Sequence, residues 1–135
     1  MHTSFSRERW DGFRAIDDSG PIHMLNLVRF RQKADYDDGR DVSGAEAYKT
    51  YSKLSGPVFS RLGGRIVWRG KPQFMMIGPD GEDWDIAFIA EYPDAAAFAA
   101  MIEDPEYRKA MPHRQAGVLD SRLIRMKPLD FGGAF

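Results

Sequence analysis

Asn26 leads the residues of this chain that could do chemistry. It sits in the run IHMLNLVRF, with Ile22, Met24, Val28 and Phe30 at alternate positions around it. An amide held among apolar neighbours needs hydrogen-bond partners. A pocket for an enol or carbonyl compound would use it as donor and acceptor; the plainer alternative is a bond to nearby backbone or to a buried water. The second candidate is the pair His113-Arg114, directly after Pro112. Histidine is the side chain best suited to move protons near neutral pH, and arginine is a ready anchor for a carboxylate. Together they suit an acidic aromatic or enolate ligand. Alternatively they form a surface pair, with Arg114 bridged to Glu103 or Asp120. Asn26 and His113 are therefore the candidate catalytic residues, and Arg114 the candidate substrate anchor.

Around these, Tyr48, Tyr51, Trp68, Trp84, Tyr92 and Tyr107 supply aromatic rings with polar edges. Phenols can hold an oxyanion or act as acids, although aromatic residues at helical spacing also serve as plain core. Tyr48 and Tyr51 fall on one helical face, and Trp84-Asp85 can close a pocket mouth or staple a turn. Tyr48, Tyr51, Trp68, Trp84 and Tyr107 are taken as candidate substrate contacts. His23 falls on the strand face opposite Asn26 and reads as a satisfied core histidine. His2 lies in a stretch expected to fray and carries no inference.

Other chemistries lack their residues. The chain has no cysteine, hence no thiolate nucleophile, disulfide framework or cysteine-based metal site. No HxH, HExxH or carboxylate cluster has metal spacing, so no metal is expected. Neither Gly63-Gly64 nor Gly132-Gly133 precedes a helix with a Walker lysine, and no nucleophile elbow occurs. Acid–base or oxygen chemistry on an enolisable ligand remains, with the ligand supplying the reactivity and no cofactor called for.

The elements that must position these groups follow from periodicity. Trp10, Phe13 and Ile16 at three-residue steps predict a short helix over 5–16, weakened by Gly12. IHMLNLVRF predicts a strand covered on both faces. Residues 31–42 are charged and aperiodic, an exposed loop. Ser43-Gly44-Ala45-Glu46 fits a capping box, and the helix after it is expected to bury Ala47, Tyr48, Tyr51, Leu54, Val58 and Leu62, with a bend at Pro57. RIVWRG predicts a second strand that continues past Lys71-Pro72 into QFMMIG, with a break or bulge at the proline. WDIAFIAEY is a third strand, Asp94 caps a helix, Asp104-Pro105 starts another, and SRLIRMK is the last strand.

This order, βαββαβ behind an N-terminal helix, gives with right-handed crossovers an α+β ferredoxin-like sandwich, a four-stranded antiparallel sheet with helices on one face. The expected division is an N-terminal helical extension over 1–20, the domain over 21–128 and a tail over 129–135. The other sheet face is apolar in several strands, which predicts a homodimer packed sheet on sheet.

Bulk properties narrow the partners. At 135 residues, 43% of them hydrophobic, one domain can bury a core without metals or disulfides. The 19 basic and 20 acidic residues nearly cancel, which argues against nucleic acid or an anionic membrane. No stretch reads as a signal peptide or membrane span, so a cytoplasmic protein is expected.

The segments MLNLVRFR, SGAEAYKTYSKLSGPVFSRLGGRIVWRG and EYPDAAAFAAMIEDPEYRKAMPHRQAGVLDSRLI resemble a domain-of-unknown-function family of the dimeric α/β-barrel superfamily, over roughly residues 21–128. The tyrosine-proline turn, the F..M..DPEY....HR pattern and the SRL strand are its most specific parts. The resemblance implies the dimeric barrel fold. Relatives in that superfamily include cofactor-free monooxygenases, muconolactone-type isomerases, haem enzymes and proteins of no known chemistry, and fold analogy does not choose among them. Three readings stand: a cofactor-independent oxygenase or isomerase acting on an enolisable or aromatic acid; a non-catalytic ligand-binding or structural homodimer; and, ranked below, a haem-handling protein.

Overall fold

Alternation along the first strand sets the frame. In a computed structural model that describes all 135 residues, β1 (Ile22–Phe30) buries Ile22, Met24 and Val28. His23, Leu25, Leu27 and Arg29 point to the opposite face, as the two-residue period of a strand requires. β1 pairs antiparallel with β3 (Ile86–Tyr92) on one side and β4 (Val118–Met126) on the other. β2 (Arg65–Gly70) joins the far edge of β3, giving the order β2-β3-β1-β4. This is the expected α+β ferredoxin-like sheet, with both longest strands of the sequence pattern in its centre or beside it.

The helices lie on the Met24 face. α1 (Arg7–Ala15) precedes β1, α2 (Gly44–Arg61) links β1 to β2, and α3 (Ala95–Glu103) with α4 (Pro105–Gly117) links β3 to β4. Their starts follow from side-chain caps: Ser43 Oγ accepts the Glu46 amide at 3.1 Å, Asp94 Oδ1 the Ala97 amide at 2.8 Å, and Asp104 Oδ1 the Glu106 amide at 2.8 Å. Each such cap is worth about 1 kcal/mol. The expected capping box is half formed, since the Glu46 carboxylate makes no return bond. α2 runs on through Pro57.

The core joins Ile22, Met24, Ala90 and Tyr92 of the sheet to Val58 of α2, Phe98 and Met101 of α3, and Tyr107 of α4. Burying each large side chain contributes roughly 1.5–3 kcal/mol. The α2–α4 pair closes at Gly44 and Gly117. A Cβ on Gly44 would overlap the Arg31 carbonyl and stand 2.7 Å from that of Gly117. The same junction is tied by the Arg31 amide donating to Gly117 O at 2.8 Å and the Gly44 amide to Arg31 O at 3.1 Å.

Four expectations change. β2 ends at Gly70, and Lys71–Asp80 is exposed irregular chain rather than a continued strand. Pro72 cannot donate to a ladder, and an edge strand has no second neighbour to hold it beyond that point. β4 begins at Val118, three residues before the SRLIRMK run, because α4 leads into it without a linker. Leu54 is exposed, whereas Ser55 is buried in its place. His2 is not frayed: its amide donates to Asp120 Oδ1 at 2.9 Å and its carbonyl accepts from Ser121 Oγ at 2.7 Å.

The sheet face away from the helices carries Leu25, Leu27, Ile89, Trp68 and Ile124, with Trp68 52% and Ile124 48% exposed. At its margin Glu91 is bonded by His23 Nε2 at 2.7 Å and by Arg65 Nε at 2.8 Å.

Candidate functional site

Between the sheet and the helices, four of the chain's five tyrosines gather. Tyr48 and Tyr51 lie on successive turns of α2, their rings 5.2 Å apart. Tyr107 comes from the first turn of α4, and its hydroxyl lies 2.9 Å from that of Tyr51. Tyr92 from β3 stacks edge-on against Phe59 and Phe98. Burial pushes the Tyr48, Tyr92 and Tyr107 hydroxyls up, and the neighbouring Tyr51 adds to each shift. The positive charge of Arg114 opposes the shift at Tyr48 and Tyr107. At neutral pH these phenols stay protonated and act as hydrogen-bond donors.

The hydroxyl of Tyr48 has no hydrogen-bond partner in the chain. Its ring rests on Phe30 at the end of β1, 5.2 Å between centroids. Arg114 leans from α4 toward the sheet, where Nη2 donates to Ser121 Oγ at 3.4 Å and Nη1 to the Thr3 carbonyl at 2.5 Å. It bridges to neither Glu103 nor Asp120. Asp120 instead takes Arg122 at 2.8 Å and the His2 amide; desolvation raises its pKa, and those bonds outweigh it to leave the carboxyl below its ordinary value.

Asn26 faces the same layer, paired across the sheet with Phe88 and Leu123. Its Nδ2 donates to the Met24 carbonyl on its own strand at 3.0 Å. This satisfies one donor of the amide, and Oδ1 accepts no hydrogen bond within the chain. One side of the sheet thus collects Asn26, Tyr48, Tyr51, Tyr107 and Arg114.

The other candidates lie elsewhere. His113 points away from the sheet to the 31–42 loop, where Nδ1 meets Tyr36 Oη at 2.6 Å. Arg40 stacks over that tyrosine at 4.1 Å and is held by Asp38. Trp68 belongs to the opposite, open sheet face. Trp84 packs under the Arg122 guanidinium, 5.0 Å from ring to charge, while Asp85 Oδ2 accepts the Phe30 amide at 2.7 Å. Trp84-Asp85 therefore staples a turn onto β1. The sheet and α4 separate His113, Trp68 and Trp84 from the tyrosine layer.

Sequence reasoning missed Tyr36, Ser121 and the backbone of His2 and Thr3. Tyr36 sits in a charged loop without periodicity, and nothing local marks it as the partner of His113. The Ser121–His2 bond spans 119 positions, beyond the reach of any spacing argument.

A profile of a domain of unknown function, DUF1330, matches residues 39–126, well over half the chain. The chain belongs to the DUF1330 family. Among solved structures, the DUF1330 chain is 58% identical to the methylated RPA0582 protein, with 98% of each chain covered and a TM-score of 0.94. RPA0582 from Rhodopseudomonas palustris, a protein of unknown function, is also 58% identical, covering 96% of this chain and 98% of its own with a TM-score of 0.92. More distant matches share the fold. A cofactor-independent oxygenase, SnoaB from Streptomyces nogalater, is 14% identical over 84% of this chain and 97% of its own, at a TM-score of 0.54. A dimeric ferredoxin-like protein of unknown function from Bacteroides fragilis is 13% identical over 80% and 96%, at a TM-score of 0.51. No curated protein matches the DUF1330 chain. No helix of the DUF1330 chain is long and apolar enough to cross a membrane.

Proposed function

We propose that this chain acts as a homodimer, packed sheet to sheet as a dimeric α/β barrel. In this reading each subunit binds a small aromatic or enolisable acid between its sheet and α2–α4, and the chemistry is cofactor-independent oxygenation or isomerisation of that acid. The observation that carries the reading is the unpartnered Tyr48 hydroxyl beside Arg114, next to the Tyr51–Tyr107 pair. Arg114 would take the carboxylate. The protonated phenols would donate to an enolate or carbonyl oxygen, stabilising charge as it develops. Asn26 would close the pocket with its free Oδ1. An enolate is itself the electron donor to dioxygen, so for a ligand acidic enough to lose its enol proton to solvent and bind as the enolate, the site has only to hold and polarise it. His113 has a catalytic part in this scheme only if ligand reaches the Tyr36 side of α4, and Trp68 falls to the dimer face.

The assembly is supported by the open apolar sheet face and by Phe74, Met76 and Ile77, which are 82–93% exposed in the single subunit. The dimeric, ferredoxin-like description of the Bacteroides relative is consistent with it.

The non-catalytic reading is favoured by one feature: no histidine or carboxylate faces Tyr48 to serve as a base. The haem-handling reading lacks a histidine in the tyrosine layer, since His23 pairs with Glu91 and His113 with Tyr36. Native mass spectrometry of the purified protein, followed by titration with phenylpyruvate and oxygen-electrode recordings, tests the scheme. Binding lost in Arg114→Gln and weakened in Tyr48→Phe is expected. Oxygen uptake separates enzyme from binder, and a Soret band on adding haemin would favour haem. No binding of any aromatic acid would overturn it.

A further inference from the structure

Residues 2–15 lie across the helix side of β4 as a strap. Two of its backbone carbonyls occupy Arg114, assigned above to a ligand carboxylate, and its neighbour Ser121: Thr3 O accepts from Arg114 Nη1 at 2.5 Å, and His2 O accepts from Ser121 Oγ at 2.7 Å. A guanidinium and a hydroxyl, 3.4 Å apart, thus hold the carbonyl oxygens of two consecutive residues. That is the hydrogen-bonding demand of one carboxylate.

The rest of the strap is held by partial burial: Trp10 and Phe13 rest against the core, and Trp10 also meets Phe98 at 6.2 Å. α1 fully buries none of its residues. Nine residues of helix are too few to persist on their own in water. Its attachments are the aromatic stack of Phe5 on Trp10 at 5.4 Å, Trp10 on Phe13 at 5.6 Å and Phe13 against Phe98 at 5.1 Å, with Arg125 donating to the Phe13 carbonyl at 2.8 Å. Releasing residues 2–3 alone uncovers Arg114 and Ser121, while release of α1 would also expose Phe98 of α3.

We infer that Arg114 and Ser121 together form the carboxylate subsite, and that the strap is an internal competitor for it which a small aromatic carboxylate must displace. This rests on the proposed ligand site beside Tyr48 and adds to it a further binding residue, Ser121, and a gate. Its consequence is quantitative. The observed affinity is the intrinsic one reduced by the fraction of molecules with the strap released. Loosening the strap raises that fraction and tightens binding, although it removes contacts from the protein.

The test is hydrogen–deuterium exchange of residues 1–15 with and without phenylpyruvate, together with binding measured on wild type, Phe5→Ser and Trp10→Ala. Phe5→Ser is the milder change, because Phe5 is half-exposed and stacks only on Trp10. The expected result is faster exchange in the strap when ligand binds, and affinity higher by about fivefold in either variant, the change expected when a mostly closed gate becomes mostly open. Ser121→Ala in the Phe5→Ser background, where the strap no longer masks the effect, is expected to weaken binding. Binding that leaves strap exchange unchanged or slowed would overturn the gate while sparing the ligand site. Absence of binding in wild type and both variants would overturn both, and affinity unmoved by Ser121→Ala would remove the residue from the subsite.

Discussion

The Tyr51 and Tyr107 hydroxyls meet at 2.9 Å and join α2 to α4 inside the helix–sheet layer. One phenol donates to the other, so removing either oxygen strands its partner. Tyr51→Phe and Tyr107→Phe should each cost about 1–2 kcal/mol, more than an exposed hydrogen bond, because a buried donor is left unmet. The double Phe variant should cost less than the sum of the two. Urea unfolding of the four proteins measures this, and strict additivity would show that the pair is not coupled.

Gly44 and Gly117 predict the opposite of ordinary helix propensity. Gly44→Ala and Gly117→Ala force a methyl against backbone carbonyls, and overpacking of that kind costs about 1–3 kcal/mol. Gly56, in the middle of α2, has nothing within 4 Å of the position a methyl would take. Gly56→Ala should therefore stabilise by about 0.5–1 kcal/mol. Thermal melts that rank the three alike would refute the close approach.

Acid should act through Glu91. Hydrogen bonds from Arg65 and then His23 hold its carboxyl below the ordinary 4.5. A depressed carboxylate pKa contributes stability above the unfolded-state value, and that contribution is lost as pH falls through the folded value. Melting temperatures should drop more steeply below about pH 4.5 in wild type than in Glu91→Gln. Parallel curves from pH 6 to pH 3 would assign the acid sensitivity to other groups.

Ile124→Lys tests the assembly. Ile124 lies beside Leu25 on the open sheet face, and a charge buried in a sheet-to-sheet contact would weaken association by at least about tenfold. Sedimentation velocity should show wild-type dimer and mutant monomer at micromolar concentration. A wild-type monomer there would contradict the homodimer.

The fold was legible because its signals are local. Alternation in IHMLNLVRF and the Ser43, Asp94 and Asp104 caps each act within a few residues, and the antiparallel order follows from how the elements succeed one another. Asn26 could be picked as an amide in an apolar alternating run, Tyr48, Tyr51 and Tyr107 as polar-edged aromatics, and Arg114 as a carboxylate anchor. Their convergence, and the exclusion of His113, could not. His113 is next to Arg114 in sequence, yet a helix turns successive side chains about 100° apart, so one faces the sheet and the other Tyr36. QFMMIG misled for a related reason: its composition suits a strand, but no neighbouring strand remains for it to pair with beyond Gly70.

The exposed stretch after β2 carries a chemical liability. Met76 is 82% and Met75 39% exposed, against 3% for Met24 and 4% for Met101. Peroxide would convert the Met75 and Met76 thioethers, and that of the exposed Met1, to polar sulfoxides well before it reached the core. In the homodimer proposed above, sulfoxides on this stretch would alter association while the core, and with it the fold, stayed intact.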